Sequence, residues 1–88
     1  GVPKDYKEAL RLFRLSAKQG NANAQHNLGV MYVKGVGVTQ DYLLAHMWFN
    51  LSASLGGKVH NKDVIEKNMS QSQILIAEEM AKNWQSKK

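Results

Sequence analysis

The chain has 88 residues, enough for one small domain, because independent domains cluster at roughly 100–150 residues. A composition of 43% hydrophobic and 22% charged residues excludes a disordered segment, and no apolar stretch approaches the roughly 18 residues that a membrane helix needs. The absence of cysteine excludes a disulfide framework and a thiolate zinc site, and a net charge of +5 permits acidic partners without requiring them.

The first predicted helix lies within residues 1–20. Asp5 stands where an N-cap is expected, and Glu8 three residues later would complete a capping box. A narrow apolar stripe with one large residue between two small ones would let a neighbouring helix approach closely. The stripe consists of Ala9, Phe13 and Ala17. Gly20 is expected to end the helix in a left-handed conformation.

The second predicted helix runs from about Ala22 to Lys34. Its core stripe is formed by Ala24, Leu28 and Tyr32. Gly29, on the adjoining edge, offers a flat place for backbone contact with a neighbouring helix. Gly35 is expected to end the helix and to turn the chain into the next one.

The chain repeats itself at an offset of 36 residues. Residues 1–20 and 37–56 are identical at ten of twenty positions without a gap. The identical pairs are Gly1/Gly37, Val2/Val38, Asp5/Asp41, Tyr6/Tyr42, Ala9/Ala45, Phe13/Phe49, Leu15/Leu51, Ser16/Ser52, Ala17/Ala53 and Gly20/Gly56. The third helix is therefore expected to be capped by Asp41 and to end at Gly56. The repeating unit is two antiparallel helices in about 36 residues, close to the period of tetratricopeptide arrays.

The repeat decays after residue 56. A helix near residues 60–69 is expected without the repeat's signature, since the offset from Leu28 and Gly29 leads to Val64 and Ile65. Ser70, with Gln73 in the capping-box position, is predicted to start a last helix. The residues that share its apolar face are Ile74, Ala77, Ala81 and Trp84. An atypical final unit is what a solenoid needs to close its open end.

These patterns predict one all-α domain, a right-handed α/α solenoid of antiparallel helix pairs with about five helices. Its parts are the second helix of a partial repeat (residues 1–20), a complete repeat (21–56), and a degenerate unit with a C-terminal capping helix (57–88).

The middle of the chain, AQHNLGVMYVKGVGVTQDYLLAHMWFNLSASLG, resembles the Sel-one-like repeat family of tetratricopeptide-related solenoids in its LG, MY, GxGV, DY and WF landmarks. The ending MSQSQILIAEEMAKNW is similar to the terminal helix of bacterial members. The chain begins within a repeat, and its third unit lacks the small-residue landmarks. The resemblance implies a non-enzymatic scaffold that binds other proteins, without naming a partner.

Solenoids of this type bind peptides along the concave surface, which is lined by the first helix of each pair. One stripe on the second helix therefore predicts partner binding, since amides can pair with a peptide backbone and an ammonium with a carboxylate. This concave stripe consists of Asn23, Asn27, Val30 and Lys34. The alternative is an ordinary polar surface.

A basic ridge follows one face of the first helix. Its members are Lys4, Lys7, Arg11, Arg14 and Lys18. Such a ridge could meet phosphates or anionic lipid, but no aromatic residue stands beside it to stack bases, and a solvated outer face explains it more simply. The second copy does not repeat it.

Apolar residues near both ends of the array lead to further predictions. Leu43 and Met47 replace ridge charges in the second copy, so either the last helices cover them or they form an exposed apolar patch, coverage being favoured. Trp48 and Trp84 are expected in the core. The first helix should have one apolar edge left open around Phe13, which would favour self-association through the N-terminal end.

The sequence gives little support for a catalytic site, a cofactor site or a metal site. His26, His46 and His60 share no ligand spacing, and His60 with Asp63 lacks a third ligand. No serine stands in a nucleophile elbow, and the Gly35-Val36-Gly37 loop lacks the strand that a phosphate-binding loop follows. The opening GVPKDY carries no apolar segment, so the sequence shows no secretory signal and leaves the location open.

The sequence therefore predicts a protein-interaction module that recognises a partner protein or peptide passively on a rigid concave surface. The alternatives are a structural C-terminal cap of a longer scaffold and an anionic-surface or nucleic-acid binder acting through the basic ridge.

Overall fold

The computed structural model describes the backbone of residues 2–56 and 60–86 and the side chains of residues 7–56 and 62–84. Within these ranges the chain forms five helices and no strand, so the prediction of an all-α chain with five helices is confirmed. The helices are α1 (Val2–Lys18), α2 (Ala22–Lys34), α3 (Tyr42–Ser54), α4 (His60–Glu66) and α5 (Gln71–Ser86).

The starts of α3 and α5 are fixed by the side chains that the sequence indicated. The carboxylate of Asp41 accepts a hydrogen bond from the backbone N–H of Leu44 at 3.1 Å, which satisfies one of the donors left free in the first turn. At α5 the capping box is complete: the Gln73 N–H donates to Ser70 Oγ at 3.1 Å, and the Ser70 N–H donates to Gln73 Oε1 at 2.9 Å.

The start of α1 differs from the prediction. The helix begins at Val2, so Asp5 lies inside it and is not its N-cap. Pro3 is compatible with this earlier start, because proline lacks only an N–H that the first turn leaves unpaired and its fixed φ suits a helix. Glu8 makes a different contact from the predicted capping box: its carboxylate pairs with Arg11, with Nη2 and Oε2 2.7 Å apart.

The helices pack around α2 and α3. Helix α2 packs against α1 and α3, and α3 also packs against α4 and α5. Two hydrogen bonds show that α2 and α3 are antiparallel: Ser52 Oγ near the end of α3 donates to the carbonyl of Ala22 at 2.9 Å, whereas the Asp41 N–H just before α3 donates to the carbonyl of Tyr32 at 3.0 Å. The complete repeat is therefore a helical hairpin.

The core follows the predicted stripes. The α2 stripe is buried, and Phe49 on α3 is among the largest fully buried side chains. Buried core residues of the three central stripes are Ala24, Leu28, Tyr32, Ala45, Phe49, Ala77 and Ala81. In α1 only Ala17 of the stripe is fully buried, while Ala9 and Phe13 are half-buried.

Helix α5 packs against α3. Its Trp84 packs edge-on against Trp48 of α3, with ring centroids 5.1 Å apart and the ring planes at 69°. Trp48 is buried and Trp84 is half-buried against the core. Met47 is buried and Leu43 half-buried on α3. The packing of α5 on α3 therefore includes a contact between the two tryptophans.

Candidate functional site

Both ends of α2, the helix that carries the concave stripe, are fixed. At its start, Oδ1 of Asn21 accepts a hydrogen bond from the Ala24 N–H at 2.9 Å. At its end, Gly35 adopts the left-handed conformation with φ 70° and donates its N–H to the carbonyl of Met31 at 2.8 Å. The loop after it is tied back by Gln40, whose amide donates to the carbonyl of Val33 at 2.8 Å. The helix therefore presents its outer face in a defined position.

Helix α3 approaches α2 closely at Gly29. A Cβ built on Gly29 would lie 2.4 Å from Cε1 of Phe49, so only glycine leaves room for this ring. The ring of His26 also packs on Phe49, with centroids 5.4 Å apart. This close approach places Phe49 beneath the surface between α2 and α4.

An apolar groove of about 310 Å³ opens at this place. Its lining residues come from α2, α3 and α4: Val30, Val33, Lys34, Phe49, Val64 and Ile65. Phe49 and Ile65 are nearly inaccessible and form its base, whereas 43% of Val64 is exposed. Among the described residues that line the groove, Lys34 alone carries a charge.

The structure places the four residues of the concave stripe on one face of α2. Asn23, Asn27 and Lys34 are exposed, and Val30 is half-buried. Val30 and Lys34 line the groove, whereas Asn23 and Asn27 lie nearer the start of the helix and are not part of its lining. The assignment of this stripe to partner binding stays a prediction.

The sequence interpretation missed three groove residues, Val33, Val64 and Ile65. A signal for the last two was present, because the offset of 36 aligns Val64 with Leu28 and Ile65 with Gly29. Leu28 is completely buried, yet its counterpart Val64 is 43% exposed. The degenerate unit therefore leaves open an apolar position that the complete repeat covers.

A buried histidine ties α4, one wall of the groove, to α3. His46 is fully buried, and its Nε2 lies 2.6 Å from Oε2 of Glu66 at the end of α4. A carboxylate only accepts hydrogen bonds, so this ring nitrogen is the donor. The Nδ2 of Asn50, one turn further along α3, lies 3.3 Å from His46 Nδ1. The three side chains hold the end of α4 against α3.

Two arginines of the basic ridge contact other side chains of the chain. Lys7, Arg11, Arg14 and Lys18 are exposed on α1, and the side chain of Lys4 lies outside the described residues. The hydrogen bond and the charge of Arg11 lower the pKa of Glu8, and the same contact raises the pKa of Arg11. Nη2 of Arg14 donates to the hydroxyl of Tyr32 at 3.1 Å. None of the contacts made by the described ridge residues indicates which ligand the ridge would bind.

Two exposed leucines mark an open face of α1. Leu12 and Leu15 are 52% and 48% exposed, whereas their repeat counterparts on α3, Trp48 and Leu51, are 6% and 2% exposed. The positions of Leu12 and Leu15 are thus uncovered in the first copy, whereas the equivalent positions in the second copy are covered.

The described residues contain no cluster of three or more histidine, cysteine, aspartate or glutamate side chains that could hold a metal ion, and the His60 side chain lies outside them. Nor does any helix in this part of the chain combine the length and apolarity needed to cross a membrane.

An antiparallel helical hairpin, repeated in sequence at a fixed offset and packed against neighbouring helices on both sides, is typical of an α/α solenoid of the tetratricopeptide type. The chain belongs to the Sel1 repeat family, whose family model matches residues 1–21 and 22–57. Members of this family generally serve as non-enzymatic scaffolds for protein interactions.

Two relatives illustrate the similarity. The chain is 45% identical over 61 residues to protein sel-1 homolog 2 of Homo sapiens, a match that covers 68% of this chain and 9% of that protein. It is 35% identical over 72 residues to chitin synthase regulatory factor 3 of Schizosaccharomyces pombe, covering 82% of this chain and 8% of that protein. The chain therefore spans less than a tenth of the length of either relative. No solved structure matches it significantly.

Proposed function

We propose that this chain is a non-enzymatic protein-interaction module that holds a segment of a partner protein along the concave stripe of α2. The observation that carries the proposal is the exposure of Asn23, Asn27 and Lys34 on one face of a helix whose two ends are fixed. Asparagine amides both donate and accept hydrogen bonds, so they suit the backbone of an extended segment. A rigid helix presents these groups without an ordering cost on the protein's side.

The experiment is affinity capture from a lysate of the native cell with three forms of the tagged chain at two salt concentrations. The first is the parent, and the second carries Asn23→Ala, Asn27→Ala and Lys34→Glu. The third is a charge-matched control with Lys18→Glu on the basic ridge, away from the stripe. We expect a protein that the parent and the control retain at both salt concentrations and the stripe variant loses.

A structural end cap is the second candidate, and the packing of Trp84 on Trp48 favours it. In that case the parent captures nothing that depends on the stripe. Retention of nucleic acid alone, lost at high salt and with the Lys18→Glu control, would instead support the ridge, because phosphate binding weakens steeply with salt. Either result contradicts the interaction module.

A further inference from the structure

We propose that the groove between α2 and α4 takes an apolar side chain of a partner segment that carries an aspartate or glutamate beside it. The inference rests on the proposed function and specifies the chemistry of the bound segment. It concerns the groove, which includes only two residues of the concave stripe and four that the stripe does not contain.

The walls of the groove fix the apolar part of the ligand. Val30 and Val33 on α2 face Val64 on α4, above a base formed by Phe49 and Ile65. Val64 occupies a position that the complete repeat buries. Covering its exposed apolar surface with a bound side chain would gain roughly 25 cal/mol per Å². A volume of about 310 Å³ lies at the small end of the roughly 300–1,000 Å³ of ligand pockets, so it suits one or two side chains of a peptide.

The rim fixes the charge of the ligand. Lys34 is exposed, and within the described part of the chain its ammonium group forms no ion pair. Lys34 lies in the last turn of α2, where its positive charge interacts favourably with the helix dipole. This interaction does not pair the ammonium group with a specific acceptor. Of the two carboxylates on α4, Glu66 is paired with His46 and Asp63 does not line the groove. A carboxylate on the bound segment would therefore find Lys34 available.

The His46–Glu66 contact makes the groove a preformed feature. It joins α3 to the end of α4, so the wall that carries Val64 is held in place before a ligand arrives. A preformed apolar site with one charged group at its rim selects for an apolar side chain and a neighbouring carboxylate together, because each contact alone is weak.

The test is a selection of random seven-residue peptides displayed on phage, followed by fluorescence-polarisation titration of synthetic peptides with the enriched sequences. The bait proteins are the parent, Lys34→Glu, Val64→Ser, a double variant with Asn23→Ala and Asn27→Ala, and Leu75→Ser. Leu75 is a matched control, because it is an exposed apolar residue on α5 away from the groove. Circular dichroism of each bait establishes that it is folded.

We expect the parent and Leu75→Ser to enrich peptides with Leu, Ile, Met or Phe within two residues of Asp or Glu. Val64→Ser should weaken these peptides about tenfold, which corresponds to about 1.4 kcal/mol. Lys34→Glu should keep the apolar preference and exchange the acidic residue for Lys or Arg. That reversal needs no change in the core, so it remains informative even if Val64→Ser is poorly folded.

Three results would overturn the inference. The first is enrichment of peptides without an apolar–acidic pair, and the second is binding that Lys34→Glu and Val64→Ser leave unchanged. Peptides that depend on Asn23 and Asn27 but not on Val64 would give the second result while leaving the proposed function intact. The third is no enrichment on the parent, which removes the groove as a peptide site; the proposed function then stands or falls on the affinity capture alone.

Discussion

Gly29 of α2 faces the ring of Phe49 of α3 so closely that an added Cβ would lie 2.4 Å from Cε1 and 2.5 Å from Cδ1. Phe49 is 1% exposed, so the ring is enclosed on its other sides as well. The two residues set the distance between the helices of the complete repeat, and they also place Phe49 at the base of the groove.

Replacing Gly29 with alanine should therefore destabilise the fold although alanine is the better helix former. Overpacking a dense core costs about 1–3 kcal/mol, and the gain in helix propensity returns about 1 kcal/mol. We expect the free energy of unfolding, measured by urea titration, to fall by up to about 2 kcal/mol.

The control is the double variant Gly29→Ala with Phe49→Leu. The smaller side chain makes room for the new methyl group, so Phe49→Leu should cost at least about 1 kcal/mol less in the alanine background than in the parent. A Gly29→Ala variant as stable as the parent would show that α3 moves away freely, contrary to the close packing seen.

Much of this architecture could be predicted from the sequence because its determinants are local or repeated. Capping by Asp41 and Ser70 depends on residues within one helical turn, and the left-handed end of α2 depends on Gly35 alone. The sequence indicated Gly29 as a place of close approach for a neighbouring helix, but it did not identify Phe49 as the residue that packs there. The prediction for the start of α1 was wrong because the first turn of a helix tolerates proline, so the helix can begin before Pro3 and does not need Asp5 as its N-cap.

The groove and the buried histidine could not be predicted in the same way. Each depends on how α4 lies against α3, and α4 belongs to the unit in which the repeat has decayed. The spacing of His46 and Glu66 in the sequence carries no signal, since the two meet only through the packing of separate helices. Val64 was aligned with a core position, but its 43% exposure depends on the position of its own helix.

The His46–Glu66 hydrogen bond should contribute to stability through its acceptor. We expect Glu66→Ala to lower the free energy of unfolding by about 1–3 kcal/mol, because a fully buried ring N–H loses its partner. Glu66→Gln keeps a carbonyl oxygen that can accept the same bond, so it should lose less than half as much. Urea titrations of both variants provide the measurement, and equal losses would contradict a role for the acceptor.

Trp84 should be required for the packing of the terminal helix. Truncation of a buried tryptophan costs about 3–5 kcal/mol, and because Trp84 is half-buried we expect Trp84→Ala to cost about 2–3 kcal/mol. The chain has two tryptophans, so emission in this variant reports Trp48 alone. It should shift to the red as Trp48 loses its cover, while Trp84→Phe should retain most of the stability and leave Trp48 shielded.

The open face of α1 should drive self-association at high concentration. Leu12 and Leu15 expose about half of their surface where the second copy buries Trp48 and Leu51, and apolar surface left open favours association. We expect sedimentation equilibrium at millimolar concentration to show a reversible oligomer, and Leu12→Lys with Leu15→Lys to weaken it at least tenfold. Leu75→Lys on α5 is the matched control and should leave the association unchanged. A parent chain that stays monomeric at this concentration would contradict this prediction. It would show that the chain's own residues cover the half-buried Phe13 well enough, so that the open face does not bind a second copy of the chain.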